Sequence, residues 1–385
     1  MREQHFLTTL IHGWEKEKTY AREVNVPVYL TATFQQKSFE DHSGYGYARG
    51  NNPTREALEQ LVARLEGGSF GFAFASGMAA TQAAFSLFQT GDRVLISSNV
   101  YGGTYDVLEK VFKRFGLSYS VADTTDLEGL EKEISKGVKG IFIETPANPT
   151  LTITDLKGIA ELAKKYGVLT IADNTFMSPY LQRPLTFGID VVVESATKYL
   201  GGHSDLIAGV LAVNDEKLAE RIHEIQCFAG GILQPFDSFL LVRGIKTLGV
   251  RLDRQVANAE AIVGFLISHN AVKSIHYPGL ESDPGYRTQL CQARNGGAML
   301  SFELKEEYDT GKFLDSLQII IQGASLGGVE SLIGHPATTS HRSLPQSLKN
   351  ETGITDRLIR LSPGIEDADD LIEDLKQAFE AAKID

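Results

Sequence analysis

The chain has few of the residues that build disulfide frameworks, metal centres or membrane spans. Only two of its 385 residues are cysteines, Cys227 and Cys291, and they do not form a C-x-x-C pair. Two isolated thiols argue against a disulfide scaffold or a metal site and favour a reducing environment. No apolar run is long enough to span a bilayer, and no signal peptide is recognisable near Met1. The sequence therefore predicts a cytoplasmic protein without a metal.

The chain also has fewer basic than acidic residues. The 37 lysines and arginines are outnumbered by 49 aspartates and glutamates, which gives a formal net charge of -12. This balance argues against nucleic acid or an anionic membrane as the main partner. A length of 385 residues with 42% hydrophobic residues is sufficient for two or three domains and at least one large core.

The order of apolar segments and glycines divides the chain into three parts. Residues 1–50 lack sustained periodicity, and we expect an extended arm that contacts a neighbouring subunit. In residues 51–245, strands and helices alternate, which predicts a mainly parallel sheet with helices on both faces. In residues 246–385 this rhythm changes, which predicts a smaller α+β domain.

Individual elements follow from the same periodicity. Predicted strands cover residues 70–74, 93–97, 140–144, 169–173, 190–194 and 298–304. Predicted helices cover residues 53–66, 77–88, 104–115, 155–166, about 245–269 and 368–382.

Lys198 is the residue that points most directly to a chemistry. It follows the apolar run 190–194 and is flanked by Ser195, Thr197 and the pair Gly201-Gly202. A lysine in this position suits a Schiff base, because burial lowers its pKa, and the hydroxyls and backbone amides beside it can hold a phosphate. The combination indicates pyridoxal phosphate. Taken alone, Lys198 would be interpreted as a strand-end lysine that reaches water.

Three other positions supply groups that this chemistry needs. Residues 75–80 follow a strand and open a helix, so the backbone N–H groups after Ser76 can hold a phosphate. Asp173 ends an apolar strand, where α/β sheets bind ligands, and its carboxylate can pair with a pyridinium nitrogen. Tyr101 follows another strand and can stack on a ring and move protons. The alternatives are a helix cap, a turn aspartate and a tyrosine packed at a domain edge.

Asn148 and Arg360 are candidates for binding a substrate. Asn148 lies in a loop that Pro146 and Pro149 restrain. Arg360 lies inside the apolar run 358–362, where a lone arginine is costly unless it is paired. A substrate carboxylate is a natural bidentate partner for it. The alternatives are turn chemistry for Asn148 and an internal salt bridge for Arg360.

Together these motifs resemble the pyridoxal-phosphate enzymes of cysteine and methionine metabolism. That family includes cystathionine γ-synthase, cystathionine γ-lyase, cystathionine β-lyase and methionine γ-lyase. The resemblance extends over nearly the whole chain. It is carried by residues 47–54, 76–78, 101–104, 144–146, 173–175, 195–203, 325–328 and 360–362.

The resemblance implies a fold and an assembly. The fold is the type I fold of pyridoxal-phosphate-dependent transferases, which is aspartate-aminotransferase-like, with a mainly parallel sheet of seven strands. The assembly is a homotetramer built as a dimer of active dimers. Tyr47 and Arg49 are implied to reach the phosphate of the neighbouring subunit's cofactor.

The resemblance also implies roles for single residues. Lys198 would bond covalently to pyridoxal 5'-phosphate and then shuttle protons. Asp173 would pair with the pyridine nitrogen, and Tyr101 would stack on the ring and act as acid and base. The residues implied to hold the phosphate are Ser76, Gly77, Met78, Ser195 and Thr197. The residues implied to orient the substrate carboxylate are Asn148, Ser325 and Arg360.

The chain departs from this family at four positions. Asp106 replaces an arginine that γ-synthases and γ-lyases often carry, and it would repel a distal carboxylate. Ala324 replaces a glutamate, and Gly46 replaces an acidic residue of some synthases. Gly103 stands where methionine γ-lyases usually have cysteine.

The expected activity is that of a cystathionine γ-lyase, which eliminates cysteine and releases 2-oxobutyrate and ammonia. γ-Synthase, which performs γ-replacement on O-acylhomoserine, is the first alternative, and β-lyase and methionine γ-lyase follow. A pyridoxal-phosphate-binding regulatory protein is opposed by the presence of Lys198, Asp173, Tyr101 and Arg360. A nucleotide-binding protein is opposed by the lack of a Rossmann glycine fingerprint or a P-loop lysine.

Overall fold

The structure is a computed structural model that describes residues 4–14, 23–342 and 344–384. Its helices alternate with strands through most of the chain. The α-helices are α1 (Phe6–His12), α2 (Pro53–Glu66), α3 (Gly77–Phe85), α4 (Gly102–Lys110), α5 (Leu127–Ile134), α6 (Leu156–Tyr166), α7 (Ser178–Leu181), α8 (Glu216–Ala229), α9 (Pro235–Ile245), α10 (Leu248–Ile267), α11 (Tyr286–Gln292), α12 (Thr310–Ser316), α13 (Gln346–Glu351) and α14 (Ala368–Ala382).

The strands form two sheets. The larger sheet contains β1 (Phe70–Phe74), β2 (Arg93–Ser97), β3 (Ser118–Ala122), β4 (Gly140–Glu144), β5 (Leu169–Asp173), β6 (Val191–Glu194) and β7 (Gly209–Val213). The smaller sheet contains β8 (Val272–His276), β9 (Leu300–Leu304), β10 (Ile321–Gln322), β11 (Leu332–Gly334) and β12 (Leu358–Ser362).

The larger sheet has the order β1-β7-β6-β5-β4-β2-β3. Strands β3, β2, β4, β5 and β6 are parallel, whereas β7 runs antiparallel to both of its neighbours. One face packs against α2, α6 and α9, and the other packs against α3, α4 and α8. The predicted seven-stranded, mainly parallel sheet with helices on both faces is therefore confirmed. Strands β3 and β7 were not predicted.

The smaller sheet, in the order β10-β11-β12-β9-β8, belongs to a second core. Helices α10, α12 and α14 cover it through side chains such as Leu266, Phe313 and Phe379. The first half of α10 instead packs in the main core through Leu248 and Leu252. Helix α10 thus joins the two cores, and the smaller α+β region predicted for the C-terminal part is present. The boundaries at residues 50 and 245 stay predictions.

The long helix predicted over about residues 245–269 is present as α10, which covers Leu248–Ile267 and is separated from α9 by a short break. Helix α9 ends at Ile245 and α10 begins at Leu248. The side chain of Arg251 stabilises the break by donating to the Gly244 carbonyl at 2.9 Å and to Thr247 Oγ1 at 3.0 Å. A carbonyl released at a helix end needs such a partner.

Two other predicted helices differ at their ends. The helix predicted over 77–88 ends at Phe85, whose buried ring packs against Phe112 and Phe142 before the chain turns toward β2. The helix predicted over 104–115 begins at Gly102 and ends at Lys110, and a 3-10 turn over Phe112–Phe115 follows.

The predicted N-terminal arm lies partly outside the described residues, because residues 1–3 and 15–22 are among those that the structure does not describe. The described part is not wholly extended, since it contains α1. Leu10 and Trp14 are buried in the main core of the same chain. Contact with a neighbouring subunit stays a prediction. Among the described helices, none combines the length and the apolar character needed to cross a membrane.

Candidate active site

A cavity of about 540 Å³ lies at the carboxyl ends of the larger sheet's parallel strands. Its other wall comes from loops of the smaller sheet and from β12. This is the position where open α/β sheets bind ligands. Its lining residues are Ser76, Gly77, Met78, Thr81, Tyr101, Thr104, Glu144, Asn148, Asp173, Thr175, Phe176, Ser195, Thr197, Lys198, Ile207, Ala324, Leu326, Thr339, Ser340 and Arg360.

Lys198 lies in the turn after β6 and faces this cavity. Its Nζ donates to Ser325 Oγ at 2.8 Å. Burial, together with the nearby charge of Arg360, lowers the pKa of Lys198 to about 8. A substantial fraction of the amine is therefore neutral near pH 8, which is the form that attacks an aldehyde or accepts a proton.

Asp173 is held in place by a chain of hydrogen bonds at the end of β5. Its Oδ1 accepts the N–H of Thr175 at 2.9 Å, and Thr175 Oγ1 accepts the N–H of Ser195 at 2.9 Å. Burial raises the pKa of Asp173 to about 6. Thr175 therefore ties the acid at the end of β5 to the loop that carries Lys198.

Three neighbouring strands, β4, β5 and β6, end in the acids Glu144, Asp173 and Glu194. Burial and the charge of Asp173 raise the pKa of Glu144 well above its usual range. Burial and a hydrogen bond with Glu66 raise the pKa of Glu194 in the same way. Of these acids Glu144 and Asp173 line the cavity, and the cations among its lining residues are Lys198 and Arg360.

The start of α3 forms a tight backbone seat. Ser76 caps the helix by accepting the N–H of Ala79 at 3.0 Å. The N–H groups of the first helical residues, Gly77 and Met78, have no partner within a helix. A Cβ at Gly77 would lie 2.7 Å from Ser195 Cβ. The seat needs glycine at this position because the Ser195 loop approaches the helix so closely.

The side chain of Thr197, like that of Ser76, already has backbone partners. Its Oγ1 donates to the carbonyl of Ala208 at 3.2 Å and accepts the N–H of Ala208 at 3.0 Å. Thr197 also lines the cavity. Its hydroxyl ties the loop that carries Lys198 to Ala208, the residue just before β7.

Arg360, on β12, is buried beside Asn148 and Ser325. Its Nη1 donates to Asn148 Oδ1 at 2.9 Å, and its Nη2 donates to the carbonyl of Ser325 at 3.1 Å. These are neutral oxygens, so the positive charge has no carboxylate directly bonded to it within the described residues. Burial lowers the pKa of Arg360 to about 10. The guanidinium keeps N–H donors in reserve for an anion, because it has five.

Tyr101 lies at the mouth of the cavity, where its side chain is 41% exposed. Its backbone N–H donates to Glu144 Oε2 at 2.7 Å. Tyr47 and Arg49 lie elsewhere and do not line this cavity. Arg49 donates to the carbonyl of Cys227 at 2.6 Å, and the Tyr47 side chain is exposed. The structure thus brings the other predicted site residues together but leaves these two apart.

Several groups of the cavity were missed from the sequence. Glu144 was seen only as part of a motif, although an acid at the end of a buried strand is the same signal that identified Asp173. Thr339 and Ser340 come from an irregular loop after β11, and Ile207 precedes β7. Nothing in their spacing indicated that they would reach this cavity.

Three of the four positions that depart from the family pattern, Asp106, Ala324 and Gly103, lie at the cavity or next to its mouth. Asp106 is paired with Lys110, with 2.7 Å between Oδ1 and Nζ, so its charge is partly neutralised. Ala324 lines the cavity itself. At Gly103, a Cβ would lie 2.4 Å from Tyr101 Cε1, so a larger residue there would displace the tyrosine ring.

The residues present fit pyridoxal 5'-phosphate. The cavity offers a glycine-dependent backbone seat for a phosphate, an amine with a lowered pKa and an acid at the end of β5. Helix N-termini and lysines of lowered pKa are the groups that bind a phosphate and an aldehyde.

Curated relatives match the chain over almost its full length. A Bacillus subtilis protein named cystathionine gamma-lyase is 49% identical over 97% of this chain and 98% of its own length. A protein of the same organism named cystathionine beta-lyase MetC is 45% identical, over 97% of this chain and 95% of its own length. A further B. subtilis relative, 42% identical over 98% of this chain and 96% of its own length, is named cystathionine gamma-synthase/O-acetylhomoserine (thiol)-lyase.

Solved structures agree with these relatives. The crystal structure of cystathionine gamma-lyase from Lactobacillus plantarum, complexed with L-serine, superimposes with a TM-score of 0.96 at 44% identity. It covers 98% of this chain and 99% of that chain. The sequence model of the Cys/Met metabolism PLP-dependent enzymes matches residues 7–380. The chain therefore belongs to the Cys/Met metabolism PLP-dependent enzyme family, within its cystathionine lyases and synthases.

Proposed function

We propose that this enzyme is a cystathionine γ-lyase, which converts L-cystathionine and water to 2-oxobutyrate, ammonia and L-cysteine. One observation carries the proposal: the Lys198 amine faces the same cavity as the Arg360–Asn148 pair. An amino acid bound there through its carboxylate would have its Cα within the space that Lys198 faces.

The cofactor would be held by groups on three sides of the cavity. Lys198 would bond to its aldehyde, and Asp173 would pair with the pyridine nitrogen. Ser76, Gly77, Met78, Ser195 and Thr197 would surround the phosphate, which suits the backbone seat at the start of α3.

When bound, pyridoxal phosphate supplies an electron sink that stabilises negative charge at the substrate Cα. Lys198 Nζ would take the proton from Cα, since burial keeps a fraction of this amine neutral. γ-Elimination also requires that a proton leave Cβ and that the departing sulfur be protonated. Tyr101, at the cavity mouth, would exchange protons with the leaving group through its hydroxyl. Arg360, Asn148 and Ser325 would keep the carboxylate fixed during these transfers.

Elimination at the γ carbon is supported by similarity. The relative named cystathionine gamma-lyase is 49% identical to this chain, whereas the relatives named beta-lyase are 41% to 47% identical. The pairing of Asp106 with Lys110 reduces its repulsion of a distal carboxylate, so the rim remains compatible with cystathionine. γ-Replacement on O-acylhomoserine is the second candidate, supported by the relative named gamma-synthase.

The proposal includes an assembly and a location. Tyr47 and Arg49 are exposed and lie outside the chain's own cavity, which supports a role for them in a neighbouring subunit's site within a homotetramer. The proposed cytoplasmic location is supported by the two unpaired thiols, Cys227 and Cys291.

Product identification tests the activity. The purified enzyme is incubated with L-cystathionine, or with O-acylhomoserine plus cysteine, and the products are identified by mass spectrometry. We expect 2-oxobutyrate and cysteine from cystathionine. Pyruvate and homocysteine would instead establish a β-lyase, and cystathionine formed from the second mixture would establish a synthase. The Lys198→Ala variant serves as the control and should be inactive.

A further inference from the structure

We propose that Glu144 is a positioning residue, which fixes Tyr101 relative to the Asn148–Arg360 pair through a single buried carboxylate. The kinetic consequence of this inference rests on the proposed function. Its structural consequence, the protection of two backbone amides, does not.

Glu144 ends β4, next to β5 in the centre of the larger sheet, and its side chain is 5% exposed. Each carboxylate oxygen accepts one backbone N–H from a different loop. Oε2 accepts the N–H of Tyr101 at 2.7 Å, and Oε1 accepts the N–H of Asn148 at 3.0 Å. Each oxygen of a carboxyl group can accept a hydrogen bond, so this one side chain satisfies donors from two loops.

A second link joins the two loops, because Asn99 Nδ2 donates to Thr152 Oγ1 at 2.9 Å, but Glu144 bonds directly to the two residues that line the cavity. The Tyr101 loop connects β2 with α4, and Tyr101 does not cap α4 with its side chain. The Asn148 loop connects β4 with α6. Asn148 passes the constraint onward, because its Oδ1 accepts from Arg360 Nη1 at 2.9 Å. Glu144 thus connects the Tyr101 ring at the cavity mouth with the Arg360 guanidinium in the cavity wall.

The substitution Glu144→Gln separates this role from simple packing. Glutamine has nearly the same shape and still accepts one N–H, but its amide NH2 would face the second N–H donor. One of the two loops therefore loses its anchor while the side-chain volume is kept. A buried N–H without a partner favours local opening, so we expect its exchange with solvent to become at least about tenfold faster.

Hydrogen exchange with mass spectrometry measures this effect directly in the holoenzyme. Residues 145–149 include two prolines, so only Thr145, Ala147 and Asn148 carry a backbone N–H in that segment. Ala147 is bonded to the Thr152 carbonyl at 3.0 Å, which makes Asn148 the informative amide. In the parent protein, the Tyr101 and Asn148 amides should exchange slowly although both lie in loops. Fast exchange of both in the parent would overturn the proposal without any variant.

Kinetics with L-cystathionine supply the second readout. Glu144→Gln should keep the yellow cofactor. We expect KM to rise about tenfold, through Asn148 and Arg360, and kcat to fall about tenfold, through Tyr101. The matched control is Glu59→Gln, because Glu59 also accepts a backbone N–H, from Ala73 at 3.0 Å, but lies outside the cavity. The control should leave KM and the exchange at Tyr101 and Asn148 unchanged.

The outcomes are distinguishable. Faster exchange together with the changed KM and kcat supports positioning by Glu144. Faster exchange of these amides with KM and kcat within twofold of the parent values would show a structural contact only and would overturn the proposal. Unchanged amide exchange in Glu144→Gln would overturn it as well. If the parent does not turn over cystathionine, the proposed function fails, and the exchange experiment still decides whether Glu144 anchors both loops.

Discussion

Replacing Arg360 by lysine should weaken substrate binding while leaving the protein folded. Lysine keeps the positive charge but loses the planar fork that donates to Asn148 at 2.9 Å and to the Ser325 carbonyl at 3.1 Å. The bidentate grip that we propose for the substrate carboxylate is lost with the same change. A hydrogen bond that involves a charged group contributes about 1.5–3 kcal/mol. Since 1.4 kcal/mol corresponds to a tenfold change, kcat/KM should fall about 10- to 150-fold.

Steady-state kinetics with L-cystathionine measure this loss, and most of it should appear as a higher KM. Cofactor absorbance and the melting temperature verify that the site is still assembled. The matched control is Arg357→Lys, three residues earlier, because Arg357 also donates to backbone carbonyls, those of Lys305 at 3.2 Å and Tyr308 at 3.4 Å. A kcat/KM for Arg360→Lys within threefold of the control's value would refute Arg360 as the carboxylate receptor.

Further predictions concern the cofactor. Gly77→Ala forces a Cβ to within 2.7 Å of Ser195 Cβ, so affinity for pyridoxal phosphate measured by dialysis should fall. Such overpacking costs about 1–3 kcal/mol. Gly264→Ala is the neutral control, because its Cβ would meet nothing within 4 Å. Equal cofactor affinities of the two variants would contradict the assignment of the phosphate site to the start of α3. Neutral Lys198 is the nucleophile, so cofactor capture by apo-protein should accelerate with rising pH and level off above about pH 8. A midpoint near 10.5, the ordinary pKa of lysine, would contradict the effect of burial. Asp173→Asn removes the charge that we propose pairs with the pyridine nitrogen, and cofactor affinity should fall about tenfold or more. An unchanged dissociation constant would exclude that pairing.

Much of the larger sheet could be predicted because its strands are short apolar runs bounded by glycine or acidic residues. Strand β4, for example, follows Lys139 and ends at Glu144, and all five of its residues are buried. Strand β7 has the same composition but follows the Lys198 loop directly and pairs antiparallel between β6 and β1. Strand β7 was not predicted, because helices and strands were expected to alternate and no helix separates β7 from β6.

The candidate site could be predicted in part because parallel strands end at one edge of a sheet. Asp173 ends a strand and Lys198 and Tyr101 follow strands, and all three line one cavity. The contacts of Glu144 could not be derived, because they depend on how two loops fold back over the strand end. Thr197 shows the same limit, since its hydrogen bonds to Ala208 form across a loop that has no periodic signal.

The central claim is that Lys198 carries the cofactor in a site built around its amine. The most direct test is to reduce the holoenzyme with sodium borohydride, digest it and locate the modified lysine by peptide mass spectrometry. We predict a pyridoxyl-phosphate adduct on Lys198 and none in the Lys198→Ala variant. An adduct on any other lysine of the parent protein would contradict the account.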